Sequence, residues 1–480
     1  MQIHANSLNS TPRTFSYNQQ DSSVMPAATI TLDDVSVGRT PATDLVKLRN
    51  IHFLPAEGRF EPDPATTLKA SSNGDFVYSE GSRDYTTANA FASTAHTVAT
   101  FNDKLEQLTG KSIHWAFDEG HLGVAPHAGD KIAEDFPNAF YYRPAGNLFF
   151  FNYHSGGQAT STGNSGEIVG HEAGHAILDA LRPNLMGSFS FEAAAFHEAF
   201  GDAVSILMSL EDERTLALAA RQTGGDLSNP NIISELGEEM GPAIGRSSVR
   251  DARNNFRYVD PDSLPDPSNE RVPADQLARE SHSFARVWTG AFYELLDKVA
   301  DDYRARGASP QEALREAGRE GWKMLIGQID NAPRGSYVTF RDMAGALLRG
   351  DAQQNGGNRQ ELIRDVFGGR NILGPEPEVQ FATAGAAPRQ FELTLGQEFG
   401  ELAGARVSFQ DEPAIFASNS PKHGERIKKD LAALHRNGDI LVPAEGHEPT
   451  LADFLRPDGS HYHAYLDRAS NELKPVLLAG

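Results

Sequence analysis

The sequence contains no cysteine among its 480 residues. Disulfide bonds, thiolate nucleophiles and metal sites that need sulfur ligands are therefore excluded. The amino-terminal residues also lack the continuous apolar stretch of a signal peptide, and no apolar run approaches the roughly 20 residues of a membrane span. We expect no membrane-spanning segment.

Positive charge is also scarce, because 43 basic residues face 65 acidic ones and the formal net charge is -22. This balance opposes binding to the phosphate backbone of nucleic acid, and it suits hard cations. The content of hydrophobic residues is that of a globular protein, and the length exceeds what one core usually supports. We expect two or three domains and no nucleic-acid partner, while the oligomeric state stays open.

The composition and the apolar spacing of the chain predict four regions. Residues 1–45 are rich in small polar residues and predict an extended arm, whereas residues 46–189 combine a helix over Tyr85–Leu108 with aromatic strands from Pro137. Residues 190–374 predict a helical lobe, with helix starts at Ser190, Ser309 and Thr339. Residues 375–480 predict an extra, partly β module of unassigned role.

The residues that indicate chemistry form the motif HEAGH, at positions 171–175. On a helix, His171 and His175 lie one turn apart on one face and can bind one tetrahedral zinc ion. Glu172 lies beside them, where it can take a proton from a water molecule and pass it to a leaving amine. Leu178 and Leu181 stand where a metzincin has glycine and histidine, so that class is excluded.

A catalytic zinc needs a third protein ligand, and the sequence HEAFGD offers one. Glu198 and Asp202 are four residues apart on one helical face, so Glu198 can bind the metal while Asp202 holds a ligand imidazole through its second nitrogen. His197 is the competing candidate for the third ligand.

These residues resemble the thermolysin-like gluzincin peptidases, whose signature is HExxH followed about twenty residues later by ExxxD. The resemblance covers residues 80–372. It implies an α+β, two-lobed catalytic unit with a mixed N-terminal lobe and a mostly helical C-terminal lobe, and a zinc endopeptidase activity on protein or peptide substrates. It also implies that Asp179, four residues after His175, is a group of the metal's outer shell.

The resemblance extends to four further positions in the family's order along the chain. PNAFYY is similar to the strand that binds the substrate backbone, which implies Asn138 and Ala139. SSVRDA is similar to the stretch whose arginine bonds the substrate carbonyl, which implies Arg250. HSFARVWTGAFY implies that His282 is the second catalytic histidine, which stabilises the oxyanion.

The same resemblance places four apolar residues around the pocket for the residue after the cut bond. They are Ile168, Leu236, Met240 and Val249. Since all four are apolar, we expect cleavage before Leu, Phe or similar residues.

Two departures from the family concern the oxyanion. Met186 stands where the family usually has a tyrosine, and Leu277 replaces the aspartate that orients the second catalytic histidine. Only Asp275 or Glu280 is placed to orient His282 instead. A lower catalytic efficiency is the expected result.

The calcium pattern of the family is matched in part. Glu167, Glu235 and Glu238 match carboxylates of the paired calcium site, while Ser209 and Ile233 replace two partners. Oxygen clusters of this kind suit calcium, and we expect one Ca²⁺ ion beside the catalytic Zn²⁺.

The alternatives to a general endopeptidase are a protease or effector dedicated to one substrate, an exopeptidase, and a catalytically weak zinc-binding scaffold that binds a partner protein. Retention of both Glu172 and His282 favours an enzyme over a scaffold. The pair His461 and His463 in the last module is read as exposed, because no third ligand is in view. Secretion by a route not visible in the sequence is favoured, with a cytoplasmic location as the alternative.

Overall fold

The structure is a computed structural model that describes residues 11–38, 40–49, 51–54, 59–62, 67–132, 135–266, 273, 275–374, 389–411, 420–456 and 460–480. The strands are β1 Thr11–Tyr17, β2 Ala28–Val37, β3 Pro41–Ala42, β4 Val46–Leu48, β5 Ile51–Leu54, β6 Arg59–Pro62, β7 Leu122–Ala125, β8 Ala139–Tyr142, β9 Asn147–Phe150, β10 Asn152–Ser155, β11 Gln158–Ser161, β12 Glu235–Leu236, β13 Arg250–Asp251, β14 Arg389–Thr394, β15 Arg406–Asp411, β16 Ile440–Leu441, β17 Ala464–Asp467, β18 Glu472–Pro475 and β19 Leu478–Ala479. The helices are α1 Arg83–Thr109, α2 Gly166–Leu181, α3 Pro183–Met186, α4 Phe191–Glu211, α5 Glu213–Thr223, α6 Ser281–Ala305, α7 Pro310–Asp330, α8 Phe340–Asn355, α9 Gln360–Gly369, α10 Ser420–Arg436 and α11 Leu451–Phe454.

A mixed sheet of eight strands organises the amino-terminal half, in the order β1-β2-β3-β4-β7-β9-β8-β19. The pairs β4–β7 and β7–β9 are parallel, and the other pairs are antiparallel. Alternating apolar residues such as Leu148 and Phe150 join the core that the sheet forms with α1, as the period of two along a strand requires. The chain is thus a mixed α and β protein.

The extended arm expected over residues 1–45 does not hold for the part that the structure describes. β1 and β2 pair over six positions and form one end of the large sheet. Phe15 is fully buried and stacks on Phe76 with a centroid distance of 4.7 Å. In β2, the half-buried Ile30 and the buried Leu32 alternate with exposed residues, and Val35 is buried beyond a register shift. The small polar composition of the segment hid this short alternation. Residues 1–10 lie outside the described residues.

The helices that frame the site begin and end where the sequence predicts. α1 covers the predicted Tyr85–Leu108, and α2 ends before Pro183. The side chain of Ser190 accepts a hydrogen bond from the amide of Ala193 and caps α4. Ser309 caps α7 in the same way, and Thr339 forms a capping box with α8. These predictions are confirmed.

Helices α2 and α4 lie against each other with glycine at their closest approach. A Cβ built on Gly174 would lie 2.9 Å from the Cα of Gly201, which no side chain could tolerate. Small residues at this crossing let the two backbones approach and bring the side chains of both helices to one point. The contact therefore positions the metal-binding candidates of α2 beside those of α4.

The last hundred residues form a second sheet that is tied to the rest of the protein. β14–β15–β18–β17–β16 pack with α10 around Val407, Leu431 and Leu473. Arg279 Nη2 lies 2.6 Å from Asp430 Oδ1 and joins the segment before α6 to α10. After β18 the chain leaves this sheet, and β19 pairs with β8 of the first sheet. The described part of this region thus combines strands with helices, whereas residues 375–388, 412–419 and 457–459 lie outside the described residues.

No helix among the described residues is both long enough and apolar enough to cross a membrane.

Candidate metal centre

The HEAGH segment lies in the middle of α2 and faces a cleft. His171, Glu172 and His175 are buried, and each offers one ligand atom within 4.8 Å of the others. The Nε2 atoms of both histidines have no hydrogen-bond partner among the described residues. Since buried polar atoms are nearly always satisfied, the two nitrogens indicate a ligand that both would share.

Glu198 reaches the same point from α4. Its carboxylate oxygens lie 3.5 Å from Nε2 of His171 and 3.6 Å from Nε2 of His175. Two ligands of a tetrahedral zinc ion, each about 2.1 Å from the metal, are separated by roughly 3.4 Å. The three donors are of the nitrogen and oxygen types that zinc accepts. The residues present therefore fit a zinc ion.

The second nitrogen of each histidine has a partner. His171 Nδ1 lies 3.0 Å from Asp202 Oδ1, and Asp202 in turn accepts a hydrogen bond of 2.7 Å from the hydroxyl of Thr289. His175 Nδ1 lies 2.8 Å from His197 Nδ1. The ring of His197 thus supports His175 from behind, and it does not compete with Glu198 for the shared point. Such partners fix the ring orientation of metal ligands.

Gly201 provides the space for the first histidine. A Cβ on this residue would lie 2.8 Å from atoms of the His171 ring. The glycine of HEAFGD thus allows Glu198 and Asp202 to flank the ring from the same helix. An alanine at this position would displace His171.

The pKa values of Glu198 and Glu172 are shifted in opposite directions. Burial acts to raise the pKa of Glu198, but the neighbouring His282, His175, His171 and Arg250 hold it well below its usual range. Burial dominates for Glu172 and raises its pKa to about 8. Glu198 is thus held as an anion suited to metal binding, and a divalent cation at the histidines would lower the pKa of Glu172 again.

His282, at the start of α6, points into the cleft. Its Nε2 lies 3.1 Å from Glu198 Oε2, and its Nδ1 lies 2.6 Å from Glu280 Oε1. Burial acts to lower the pKa of His282, but the two carboxylates more than offset it, so the pKa lies above its usual range. Of the two residues considered for orienting His282, Glu280 makes the contact.

Arg250 lies in β13 and joins the two carboxylates of α4. Its Nη2 donates to Glu198 Oε2 at 3.2 Å, and its Nε lies 3.3 Å from Asp202 Oδ1. The Nη1 atom is buried and has no partner among the described residues. The guanidinium therefore keeps one donor for a further acceptor in the cleft.

The remaining positions implied by the resemblance lie around this cleft or behind it. Asn138 and Ala139 line the cleft beside His171. Asp179 lies deeper, where it accepts hydrogen bonds of 2.8 Å from the Tyr141 hydroxyl and from Nε of Arg143. It ties α2 to β8 and forms no hydrogen bond or ion pair with His171 or His175 among the described residues.

A cavity of about 430 Å³ opens beside His171 and Glu172. Its walls contain all four apolar residues that the sequence assigned to it, Ile168, Leu236, Met240 and Val249. Arg246, Arg250 and Arg286 add positive charge to the same cavity. Met186, which stands where the family has a tyrosine, lines a neighbouring and larger cavity with Glu198.

A second acidic cluster lies about one turn before His171 on α2. Carboxylate oxygens of Asp21, Glu167 and Glu238 lie within 4.8 Å of one another. Asp21 Oδ1 and Glu167 Oε1 are buried without a hydrogen-bond partner among the described residues, and burial raises both pKa values. Glu235 is outside this cluster and pairs with Asp251 in the β12–β13 ribbon.

Sequence reasoning missed Asp21, because it assigned the segment to an extended arm. The run NQQD at 18–21 follows β1 directly and is buried, but its polar composition gives no sequence signal of burial. Gln20 Nε2 donates to Ser209 Oγ at 2.9 Å, so this run packs on α4.

Comparison with known proteins finds similarity to solved structures alone. No protein-family model matches the chain, and no curated protein sequence matches it. Among solved structures, the chain is similar to the precursor of protealysin, a metalloproteinase from Serratia proteamaculans, at 15% sequence identity and a TM-score of 0.38. That similarity covers 64% of this chain and 85% of the other. No family follows from it.

Proposed function

We propose that the protein is a zinc endopeptidase that cuts internal peptide bonds before apolar residues. The observation that carries the proposal is the convergence of His171 Nε2, His175 Nε2 and a Glu198 carboxylate from two helices, at separations of 3.5 Å and 3.6 Å. These three residues would hold the zinc ion. When bound, zinc would polarise the substrate carbonyl and lower the pKa of a coordinated water toward neutrality.

The other residues of the cleft supply proton transfer and charge. Glu172 lies beside the histidines and takes a proton from the attacking water, then delivers it to the leaving amine. His282, held by Glu280, faces the same point and donates to the oxygen that gains negative charge. The Nη1 group of Arg250 binds a substrate carbonyl, because Nη2 and Nε are occupied by Glu198 and Asp202 and Nη1 has no partner among the described residues.

Substrate choice follows from the walls of the cleft. The cavity next to Glu172 accepts the side chain after the cut bond, and the edge of β8 at Asn138 and Ala139 binds the peptide backbone. Leu and Phe fit against the four apolar side chains in the wall of this cavity. The partner is thus a protein or peptide.

The cluster of Asp21, Glu167 and Glu238 is proposed to bind one Ca²⁺ ion. The buried carboxylates of Asp21 and Glu167 and the half-buried one of Glu238 repel one another when they are ionised, and oxygen ligands of this kind suit calcium. The ion would join the amino-terminal segment to α2, the helix that bears the catalytic motif. Its effect would be on stability.

The test is cleavage of casein by the purified chain and by Glu172→Gln, with zinc content determined for both. We expect about one zinc per chain in both proteins, and a loss of at least about 100-fold in rate for the variant. Glu213→Gln, a change at an exposed carboxylate on α5, serves as the control and should cleave like the parent. A chain that binds no zinc, or a Glu172→Gln variant that cleaves normally, would refute the proposal.

A further inference from the structure

The carboxyl-terminal part of the chain enters the cleft described above. β19 pairs antiparallel with β8, with Leu478 opposite Tyr142 and Ala479 opposite Tyr141. The amide of Arg143 also donates to the carbonyl of Leu477 at 3.1 Å, so the ladder begins one residue earlier. Without β19, β8 would be the edge strand of the eight-stranded sheet. An edge strand is the usual docking place for an extended peptide.

Gly480 continues this strand to the catalytic residues. A Cβ built on Gly480 would lie 2.5 Å from the carbonyl oxygen of Ala139 and 2.8 Å from Glu172 Oε2. Both distances are shorter than real Cβ contacts, so the backbone at 480 is wedged between the substrate-binding edge and the general base. Its φ of +128° is a conformation that favours glycine. Gly480 also lines the cavity beside His171.

The segment is anchored firmly enough to stay there. Leu478 and Ala479 are 5% and 8% exposed. Leu478 belongs to an apolar cluster with Phe140 and Phe149 of the sheet and Phe454 of α11. Val476 donates its amide to the carbonyl of His463 at 2.9 Å, which fixes the approach to the cleft.

From these contacts we infer that residues 478–480, here called the cleft segment, act as a peptide ligand of the chain's own cleft and block other peptides from it. The inference rests on the proposed function, since it takes this cleft as the peptide-binding cleft. The cleft segment uses the backbone edge that a substrate would use, and Gly480 fills the space beside Glu172. A tethered ligand of this kind competes at an effective concentration on the order of millimolar, so a substrate must displace it before it can be cut.

The close approach of the cleft segment to Ala139 and Glu172 leaves no room for a side chain at Gly480. Gly480 lines the cavity beside His171, Ala479 lines the neighbouring cavity that contains Glu198, and Leu478 packs in the apolar cluster. Removal of Ala479 and Gly480 should therefore open the cleft and leave the anchor in place. Gly480→Ala should have the same effect through the contacts with Ala139 and Glu172. Gly404→Ala is the matched control, because Gly404 also has a positive φ, of +86°, but nothing lies within 4 Å of its Cβ position.

The first measurement is kcat/KM on a short fluorogenic peptide for the parent, the chain without residues 479–480, Gly480→Ala and Gly404→Ala. We expect the shortened chain and Gly480→Ala to exceed the parent by about ten-fold or more, whereas Gly404→Ala should match the parent. The free peptide KPVLLAG should inhibit the shortened chain more strongly than the parent. Equal kcat/KM in all four proteins would overturn the inference.

The second measurement does not depend on catalysis. Fluorescein-labelled KPVLLAG is titrated against Glu172→Gln in the full-length and in the shortened chain, and its anisotropy is recorded. We expect binding to the shortened chain and at least about ten-fold weaker binding to the full-length chain. No binding to the shortened chain, or equal binding to both, would overturn the inference. Selective binding without cleavage by any of the proteins would refute the peptidase and leave the blocked cleft established.

Discussion

Glu280 Oε1 lies 2.6 Å from Nδ1 of His282 and also accepts the backbone amide of that residue at 2.9 Å. The carboxylate is two residues away in sequence, so it caps α6 and orients the imidazole at the same time. Burial acts to raise the pKa of Glu280, but the charge and hydrogen bonds of His282 lower it to about 2. The ion pair keeps Nε2 of His282 directed at the metal-binding candidates.

Glu280→Gln is expected to lower kcat about ten-fold with a smaller change in KM, because the imidazole loses its charged partner but the cap keeps an oxygen. Steady-state kinetics on a peptide substrate measure both constants. Asp275→Asn is the control, since Asp275 is the other acidic residue that the sequence offered for this role. A loss of kcat in Asp275→Asn but not in Glu280→Gln would contradict the assignment.

Val249→Phe is expected to change the preference for the residue after the cut bond, because the larger side chain would fill the cavity beside His171. Val249 packs within about 3 Å of where a Cβ on Gly237 would lie, so a larger side chain has little room except in the cavity itself. We expect kcat/KM for a substrate with Leu after the cut bond to fall about ten-fold or more relative to one with Ala.

The readout for Val249→Phe is the ratio of the two kcat/KM values, which cancels changes in the amount of active protein. Val259→Phe, at an exposed position, serves as the control and should leave the ratio unchanged. An unchanged ratio in Val249→Phe would place the pocket elsewhere.

Calcium is expected to stabilise the protein through the Asp21 cluster. At a calcium concentration about 100 times the dissociation constant, binding adds about 2.7 kcal/mol to the free energy of unfolding. Asp21→Asn should remove most of this gain, yet it should stabilise the calcium-free protein, because one of three mutually repelling carboxylates is gone.

The measurement for the cluster is urea unfolding with calcium and with a chelator that leaves zinc bound. Glu235→Gln distinguishes two ligand sets. The structural cluster contains Asp21 and lacks Glu235, whereas the set predicted from the sequence includes Glu235. We expect Glu235→Gln to keep the calcium effect. Loss of the effect in Glu235→Gln but not in Asp21→Asn would favour the ligand set that the sequence pattern predicts.

Glu192 is expected to make stability depend on pH. It is buried in α4, where it accepts hydrogen bonds from the amide of Phe340 at 2.6 Å and from the hydroxyl of Tyr258 at 3.0 Å. Burial raises its pKa to about 7 from an ordinary value of 4.5. The folded state therefore holds a proton that the unfolded state releases, so the contribution is complete below pH 4.5 and is lost as the pH rises through 7.

The shift corresponds to about 3 kcal/mol between these limits. Glu192→Gln mimics the protonated form, since its oxygen can accept from Phe340 and its amide can donate to Tyr258. The unfolding free energy of the parent should thus fall relative to that of the variant between pH 5 and pH 8. Denaturant unfolding of both proteins at pH 5 and pH 8 measures this difference in unfolding free energy. An equal change with pH in the parent and in Glu192→Gln would refute the assignment.

The sequence alone predicted the helices of the site and the residues they bring together. The spacing of His171 and His175 is one helical turn, and Glu198 and Asp202 repeat it, so local geometry was enough to place each pair on one face. Caps at Ser190, Ser309 and Thr339 are local signals of the same kind. The strands of the amino-terminal segment were missed, because their pairing partners lie far away in the chain.

The contacts between segments that are distant in the chain were decided by the tertiary structure alone. Asp21 joins Glu167 because the amino-terminal segment packs against α2 and α4, and no local pattern encodes that approach. Gly480 reaches Glu172 because β19 completes the edge of a sheet formed more than 300 residues earlier. The metal-binding candidates share one face of a helix because of its period of 3.6 residues. The pairing of an edge strand depends instead on which backbone groups remain free once the rest of the sheet has formed.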